Sequence, residues 1–326
     1  MKSVNRKSFW LSVAIKVTVF VVLIWALYKQ VYQNDQVHQI PEQLFAPGPG
    51  KVIPLLIVLA FAMLCNWGLE AAKWLLVMRK LTPIRFVRAF KAVWTGVTLG
   101  LFTPNRVGEF GGRILYVPRK FRIRAAIVSL IGSFSQNLIT VAAGMYGAAC
   151  YLLYIEDAKI QVVLAVLLLG AIAVILLLLA YYNLEVVVAL FRNNRFLKRV
   201  YSYTTVLQEY SQADLSRLLG LALLRYLVYT AQYLILLNMF GAELKVVDGF
   251  AAISLIFLAQ TVVPSFAIAD LLTRLPVAAL ILSEYGVPVQ VSLAATTSIW
   301  ILNLIIPAIL GYIFIIRYNI FKNRQS

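Results

Sequence analysis

Thr103-Pro104-Asn105-Arg106-Val107-Gly108-Glu109-Phe110-Gly111-Gly112-Arg113 is the stretch on which the fold turns. It follows an uncharged run, Ala92 to Phe102, and packs one proline, three glycines, two arginines and a glutamate into eleven residues. In water that composition makes a loop. The surrounding chain, however, is 62% hydrophobic and only 13% charged, about half the charge of a soluble domain, so it belongs in a membrane. Broken backbone is tolerated there only where it is buried in protein or lines a wet cavity. The eleven residues from Ala92 to Phe102 make ~17 Å of helix against a ~30 Å hydrocarbon core, too short to cross.

The net charge of +17 does not point to nucleic acid. Lysines and arginines stand in short clusters between apolar runs, as the positive-inside rule expects of cytoplasmic loops, and no nucleic-acid-reading motif accompanies them. Cys65 and Cys150 lie in apolar runs without metal-type spacing and read as inert thiols. His38 stands alone. No metal, no cofactor and no catalytic constellation is therefore expected.

Loop charges set the expected path. Lys2, Arg6 and Lys7 precede an uncleaved first span, Phe9–Tyr28, with a cytoplasmic N-terminus. The loop Lys29–Lys51 is formally neutral and lies outside; the second span, Val52–Met78, returns to Arg79, Lys80, Arg85, Arg88 and Lys91. A second basic cluster, Arg113 to Arg124, lies beyond the quoted stretch. Two inside clusters flanking one apolar excursion require an even number of crossings, so the excursion is a re-entrant hairpin with Pro104 near its deep end. Spans follow at Ala125–Ile155, Ile160–Tyr182 and Leu218–Phe240. Before the last of these, Phe196, Val200, Tyr203, Leu207 and Tyr210 form an apolar stripe expected of an interfacial amphipathic helix. A second excursion, Gly249–Ser283, breaks at Val263-Pro264-Ser265, and a last span, Gln290–Ile316, leads to a basic tail.

The expected fold is thus all-α and integral to the membrane, with six full spans and two re-entrant helical hairpins in one polytopic domain, residues 1–326. It divides into span, span, hairpin, span, twice: about 1–157, and about 158–326 in the opposite orientation. The hairpin prolines lie 160 residues apart (264 − 104), and a shift of 159 sets Asn66-Trp67 over Arg225-Tyr226 and Trp74-Leu75 over Tyr233-Leu234. Inverted repeats of this kind hold substrate near mid-membrane between discontinuous helices.

Charges within this apolar chain are the candidate site. Glu70, Lys73, Arg106, Glu109, Arg113, Arg225, Asp270 and Arg274 make five cations against three anions. An intramembrane charge costs roughly 2.5–3.5 kcal/mol on insertion scales, so it pairs, faces water or serves function. Mutual pairing that locks the hairpins and contact with substrate both fit. The cationic surplus favours a phosphate-bearing ligand, for which the arginine fork is suited, and a helix N-terminus after Pro104 would add donors. Asn66, Glu70 and Lys73 share one helix face, as do Arg225, Tyr229 and Gln232; Ser133, Gln136, Thr140 and Gly144 line another, and Thr296, Trp300 and Asn303 a fourth. For the small polar residues, helix packing is the plainer reading.

Thr103-Pro104-Asn105-Arg106-Val107-Gly108-Glu109 resembles the T-P-G-R-x-G-E signature of the flippase-like membrane family typified by the transmembrane region of lysylphosphatidylglycerol synthetase. Lys73-Trp74-Leu75-Leu76 is similar to that family's basic-Trp-x-Leu stretch, with lysine where arginine is usual. The resemblance implies a lipid translocase fold with paired hairpins and points to Pro104, Arg106, Gly108 and Glu109. Asn105 stands in place of the usual glycine, and Pro264-Ser265-Phe266-Ala267-Ile268-Ala269-Asp270 lacks the glycine-rich, glutamate-containing form of the synthetase branch. No soluble aminoacyl-transferase domain is expected.

The leading expectation is a flippase of the inner cell membrane, both termini cytoplasmic, passing a phospholipid or lipid-linked headgroup between leaflets. Its partner is a membrane lipid; a second copy or a separate lipid-modifying enzyme is left open. The alternative is a membrane subunit or enzyme acting on a lipid carrier, as in glycosyl- or aminoacyl-transfer.

Overall fold

The computed structural model describes residue 21 and residues 48–103, 106–154, 158–193, 203–262 and 270–317. All of the expected first span but Val21, together with Pro104, Asn105, the Val263-Pro264-Ser265 break, Phe196, Val200 and most of the basic tail, lies outside these. Among the described residues every regular element is helical. Five helical segments are long and apolar enough to cross a bilayer: Val52–Met78, Arg119–Tyr154, Ile160–Tyr182, Gln212–Met239 and Val289–Ile316. The chain is an integral, multi-pass membrane protein.

Helix α1 (Pro49–Met78) opens with a proline, which fits the first turn because its missing N–H would have no intrahelical partner there. Ile53, Ile57, Phe61 and Leu64 are exposed, whereas Met63, Trp67, Ala71, Trp74 and Met78 are buried in the core. Exposed apolar side chains suit a surface solvated by lipid, and polar ones turn inward. Helix α2 (Phe86–Gly100), at 15 residues ~22 Å long and short of the hydrocarbon core, leads to α3 (Gly108–Ile114). Helices α4 (Arg122–Tyr154) and α5 (Ile160–Tyr182) follow; α5 is the most lipid-exposed of the five candidate spans.

After α6 (Leu184–Asn193), the expected interfacial helix is not one continuous helix. Thr205–Glu209 is a 3₁₀ turn and Tyr210 is extended, which breaks the 3.6-residue period that the apolar stripe assumed. Leu207 and Tyr210 are buried in the main core, and the Tyr210 hydroxyl donates to the Val77 carbonyl of α1. Helix α7 (Gln212–Met239) then starts with a capping box between Ser211 and Asp214. Helices α8 (Val246–Val262) and α9 (Asp270–Glu284) flank the second break. The last span is α10 (Val289–Trp300), a π turn at Ile301–Ile305, and α11 (Ile306–Arg317). Pro307 lacks an N–H, and the π turn stands directly before it, where the backbone must re-pair its carbonyls.

Packing is close where glycines allow it. Helices α2 and α3 lie against each other so tightly that a Cβ on Gly112 would stand 2.5 Å from the Gly96 Cα, and one on Gly96 2.7 Å from the Glu109 carbonyl. Helix α2 also meets α11, where Gly311 abuts the Trp94 carbonyl and Thr98 Oγ1 donates to the Ala308 carbonyl at 2.7 Å. Helix α8 packs on α4, with Gly144 against Leu258 and Gly147 against the Ala251 carbonyl. Helices α1 and α7 run side by side in opposite directions: Leu59 pairs with Gln232, Glu70 with Arg225, and Lys80 with Asp214.

Candidate functional site: an arginine-lined cavity

The turn before α3 accounts for the sequence that opens it. Thr103 Oγ1 accepts from the Gly108 N–H at 2.7 Å and donates to the Gly100 carbonyl at 3.2 Å. Arg106 adopts φ 58°, the left-handed region, and is the one non-glycine residue described there. Gly108 abuts the Leu99 carbonyl, leaving no room for a Cβ. The first N–H groups of α3 are occupied: Gly108 by Thr103, Glu109 by the Arg106 carbonyl, Phe110 by the Val107 carbonyl. The expectation that this helix start would offer donors to phosphate is therefore corrected. A helix of seven residues spends its free donors closing its own turn.

Six of the predicted charges form one network. Glu70 on α1 is its centre: Oε1 accepts from Arg113 Nη2 at 2.9 Å, and Oε2 from Lys73 Nζ at 3.0 Å, with Arg225 Nε of α7 at 3.6 Å. Glu109 joins Arg113 at 3.2 Å to Arg106 at 2.6 Å. Gln136 of α4 holds the other side, its Oε1 accepting from Lys73 at 3.2 Å and from Arg225 at 3.3 Å. Lys73 is 1% exposed and Arg113 5%, so neither charge has water to fall back on. Pairing is what makes such burial tolerable.

Arg274 lies on α9, and its Nη1 donates to Gln260 Oε1 of α8 at 2.9 Å. Asp270 begins α9; its side chain lies outside what the structure describes. Pro104 likewise lies outside.

Between these groups is a cavity of about 280 Å³. Among the described residues its charged lining consists of Arg106, Arg225 and Arg274, one from the turn before α3, one from α7 and one from α9. Glu70, Lys73, Glu109 and Arg113 do not line it. Five described cations face two carboxylates in this region, and the surplus collects on the cavity wall. Trp67, Trp300, Tyr226, Tyr229 and Phe257 form the aromatic part, with the Arg225 guanidinium 5.3 Å from the Trp67 ring centre. Several lining donors lack a protein acceptor although buried: Trp67 Nε1, Trp300 Nε1 and Arg106 Nε. A buried donor left without a partner costs ~1–3 kcal/mol, so such a set suits an anion or water.

A chain of amides borders the cavity. Asn66 Nδ2 donates to Asn303 Oδ1 at 2.9 Å, Asn303 Nδ2 to Gln232 Oε1 at 3.2 Å, and Gln232 Nε2 to the Leu59 carbonyl at 3.1 Å. Asn303 sits in the π turn, whose extra residue per turn re-aims its side chain. This chain ties α1, α7 and the last span together where their polar faces meet.

Sequence reasoning named every described charge at the site and set Trp300 on a polar face, but missed Gln260, Asn137 and the role of the Trp67 indole. Gln260 was legible as an amide in the otherwise apolar run Ala251 to Val262. Trp67 was not, because a tryptophan in a span reads first as core. Among the described residues no three His, Cys, Asp or Glu side chains gather as metal ligands.

Comparison with known proteins gave no curated relative and no solved structure that matches. The family model described as lysylphosphatidylglycerol synthase TM region matches residues 13–311. With nearly its whole length covered by that match, and with the Thr103–Glu109 motif built as a tied, arginine-bearing turn beside a polar cavity, the chain belongs to the lysylphosphatidylglycerol synthase transmembrane-region family.

Proposed function

We propose that the protein is a lipid flippase of the inner cell membrane, a transporter rather than an enzyme, that passes a phosphate-bearing headgroup between leaflets. The observation that carries this reading is the cavity wall: three arginines on three separate elements, with no carboxylate among the described lining residues. An arginine fork matches phosphate oxygens, and in a low-dielectric site each such bond is about twice as strong as a neutral one. The cavity's size of about 280 Å³ suits a headgroup while acyl chains stay in the bilayer.

The same reading takes α2–α3 and α8–α9 as two re-entrant hairpins in an inverted repeat, with six spans and both termini cytoplasmic. The packing supports it. The first arm of one hairpin, α2, lies on the last span, and the first arm of the other, α8, lies on α4, the span in the equivalent place. Helices α1 and α7, equivalent in the same scheme, pack on each other. Rocking of the two halves about the α1–α7 contact would open the cavity to each leaflet in turn. Membrane association of the family with lipid chemistry adds to the same side.

The test is headgroup translocation in proteoliposomes, across a panel of anionic and zwitterionic lipids. Movement above protein-free vesicles, lost in Arg274→Gln, is the expected result. Rates equal to empty vesicles for every lipid would overturn the reading.

A further inference from the structure

A second place on the molecule has the chemistry of a lipid site, and it lies on the outside of the α1–α7 pair. Ala72, Leu75, Leu76 and Arg79 of α1 fall at i, i+3, i+4 and i+7, and form one wall of a slot of about 440 Å³. Arg217, Gly220, Leu221 and Leu224 of α7 repeat that spacing on the other wall, in the opposite direction. Because the helices are antiparallel, the small and apolar residues face one another and the two arginines meet at one end.

The arginines at that end carry unbalanced charge. Asp214, three residues before Arg217 on α7, is engaged with Lys80 at 3.4 Å and closes the α7 capping box. Neither Arg79 nor Arg217 makes an ion pair among the described residues. The slot below them is open on its outer side, where Leu224 is 52% exposed. Gly220 has open space beside it: a Cβ there would meet nothing within 4 Å. An apolar slot open to the bilayer, with two free guanidinium groups at its mouth, matches an amphiphile with an anionic head.

We propose that this slot binds an anionic phospholipid of the surrounding bilayer, one acyl chain lying between α1 and α7 and the phosphate held by Arg79 and Arg217. It is distinct from the arginine-lined cavity and does not rest on the transport reading. Basic residues at a membrane surface attract anionic lipid by ~1 kcal/mol each, roughly fivefold in affinity per arginine.

Photo-crosslinking tests it on the full chain in vesicles of phosphatidylcholine with a minority of phosphatidylglycerol. A benzophenone side chain replaces Leu224, and mass spectrometry identifies the captured lipid. Phosphatidylglycerol is expected in the adduct well above its bulk share, and R79Q/R217Q should return it to that share. Gly220→Leu fills the slot but keeps both charges, and should cut adducts of both lipids several-fold. Arg274→Gln, which removes a cavity charge, should leave the adduct unchanged. Bulk-share capture in the unsubstituted chain, indifference to R79Q/R217Q or to Gly220→Leu, or an equal loss in Arg274→Gln would each overturn the proposal. Native mass spectrometry of the chain without the photoprobe gives a second reading, in which equal retention of the two lipids also overturns it.

Discussion

Two sets of basic side chains stand within one region of this protein in different surroundings. Lys73 and Arg113 are sealed into the bundle and bonded to Glu70, with Glu109 taking a second contact from Arg113. Arg106, Arg225 and Arg274 face an open cavity. Arg106 and Arg225 also touch the buried network, through Glu109 at 2.6 Å and Glu70 at 3.6 Å. Residue type does not separate the sets; neighbours do. A cation surrounded by carboxylate and packed helix is a fastening, whereas the proposed function takes the three on the cavity wall as ligand contacts. Under the proposed function, the two readings of the intramembrane charges that the sequence left side by side fall to different residues.

The sharpest way to break that division is to remove its central anion. Glu70→Ala leaves Lys73, Arg113 and Arg225 without their shared carboxylate, and uncompensated buried charge costs ~3–5 kcal/mol. Thermal unfolding in detergent should show a large loss, with little folded protein recovered; unchanged unfolding would show that the network is not a fastening. Arg274→Gln should do the opposite, leaving unfolding nearly unchanged while headgroup affinity falls by roughly 10- to 100-fold, as ~1.5–3 kcal/mol for a charge-assisted bond implies. Equal losses in stability would move Arg274 into the fastening set. Gly112→Ala tests the hairpin that carries Arg106 and Arg113. Its Cβ would press on the Gly96 backbone at 2.5 Å, and overpacking of that kind costs ~1–3 kcal/mol, read by the same unfolding measurement. Smallest of all, Lys80→Gln breaks the Lys80–Asp214 pair at the helix ends, where Lys80 is 39% exposed. Such a pair is worth ~0–1 kcal/mol, so a loss near that of Glu70→Ala would show that burial does not set the scale.

The local motif and the long-range site differ in how far the sequence reached. Thr103 to Glu109 was legible because its reasons are local: a threonine tying the turn, a glycine under a carbonyl, an arginine and glutamate three apart. The interfacial helix expected from Phe196 to Tyr210 was misread in its described part, since an apolar stripe has the same spacing whether it meets lipid or core. Here Tyr210 meets the Val77 carbonyl. The donors expected at the start of α3 were misread for a related reason: composition does not tell whether an N–H is already taken.

From the order of residues alone came the membrane, the limits of five described spans to within about six residues, the break after Phe102 and the surplus of cations near it. These follow from hydrophobicity, length against bilayer thickness and charge, which act along the chain. Only the tertiary structure decided that Glu70 reaches 43 positions onward to Arg113 and across to Arg225, and that three arginines from three elements share one cavity. Whether a charge is neutralised depends on what comes within about 4 Å of it, and distance in space between separate helices is not written in their spacing along the chain.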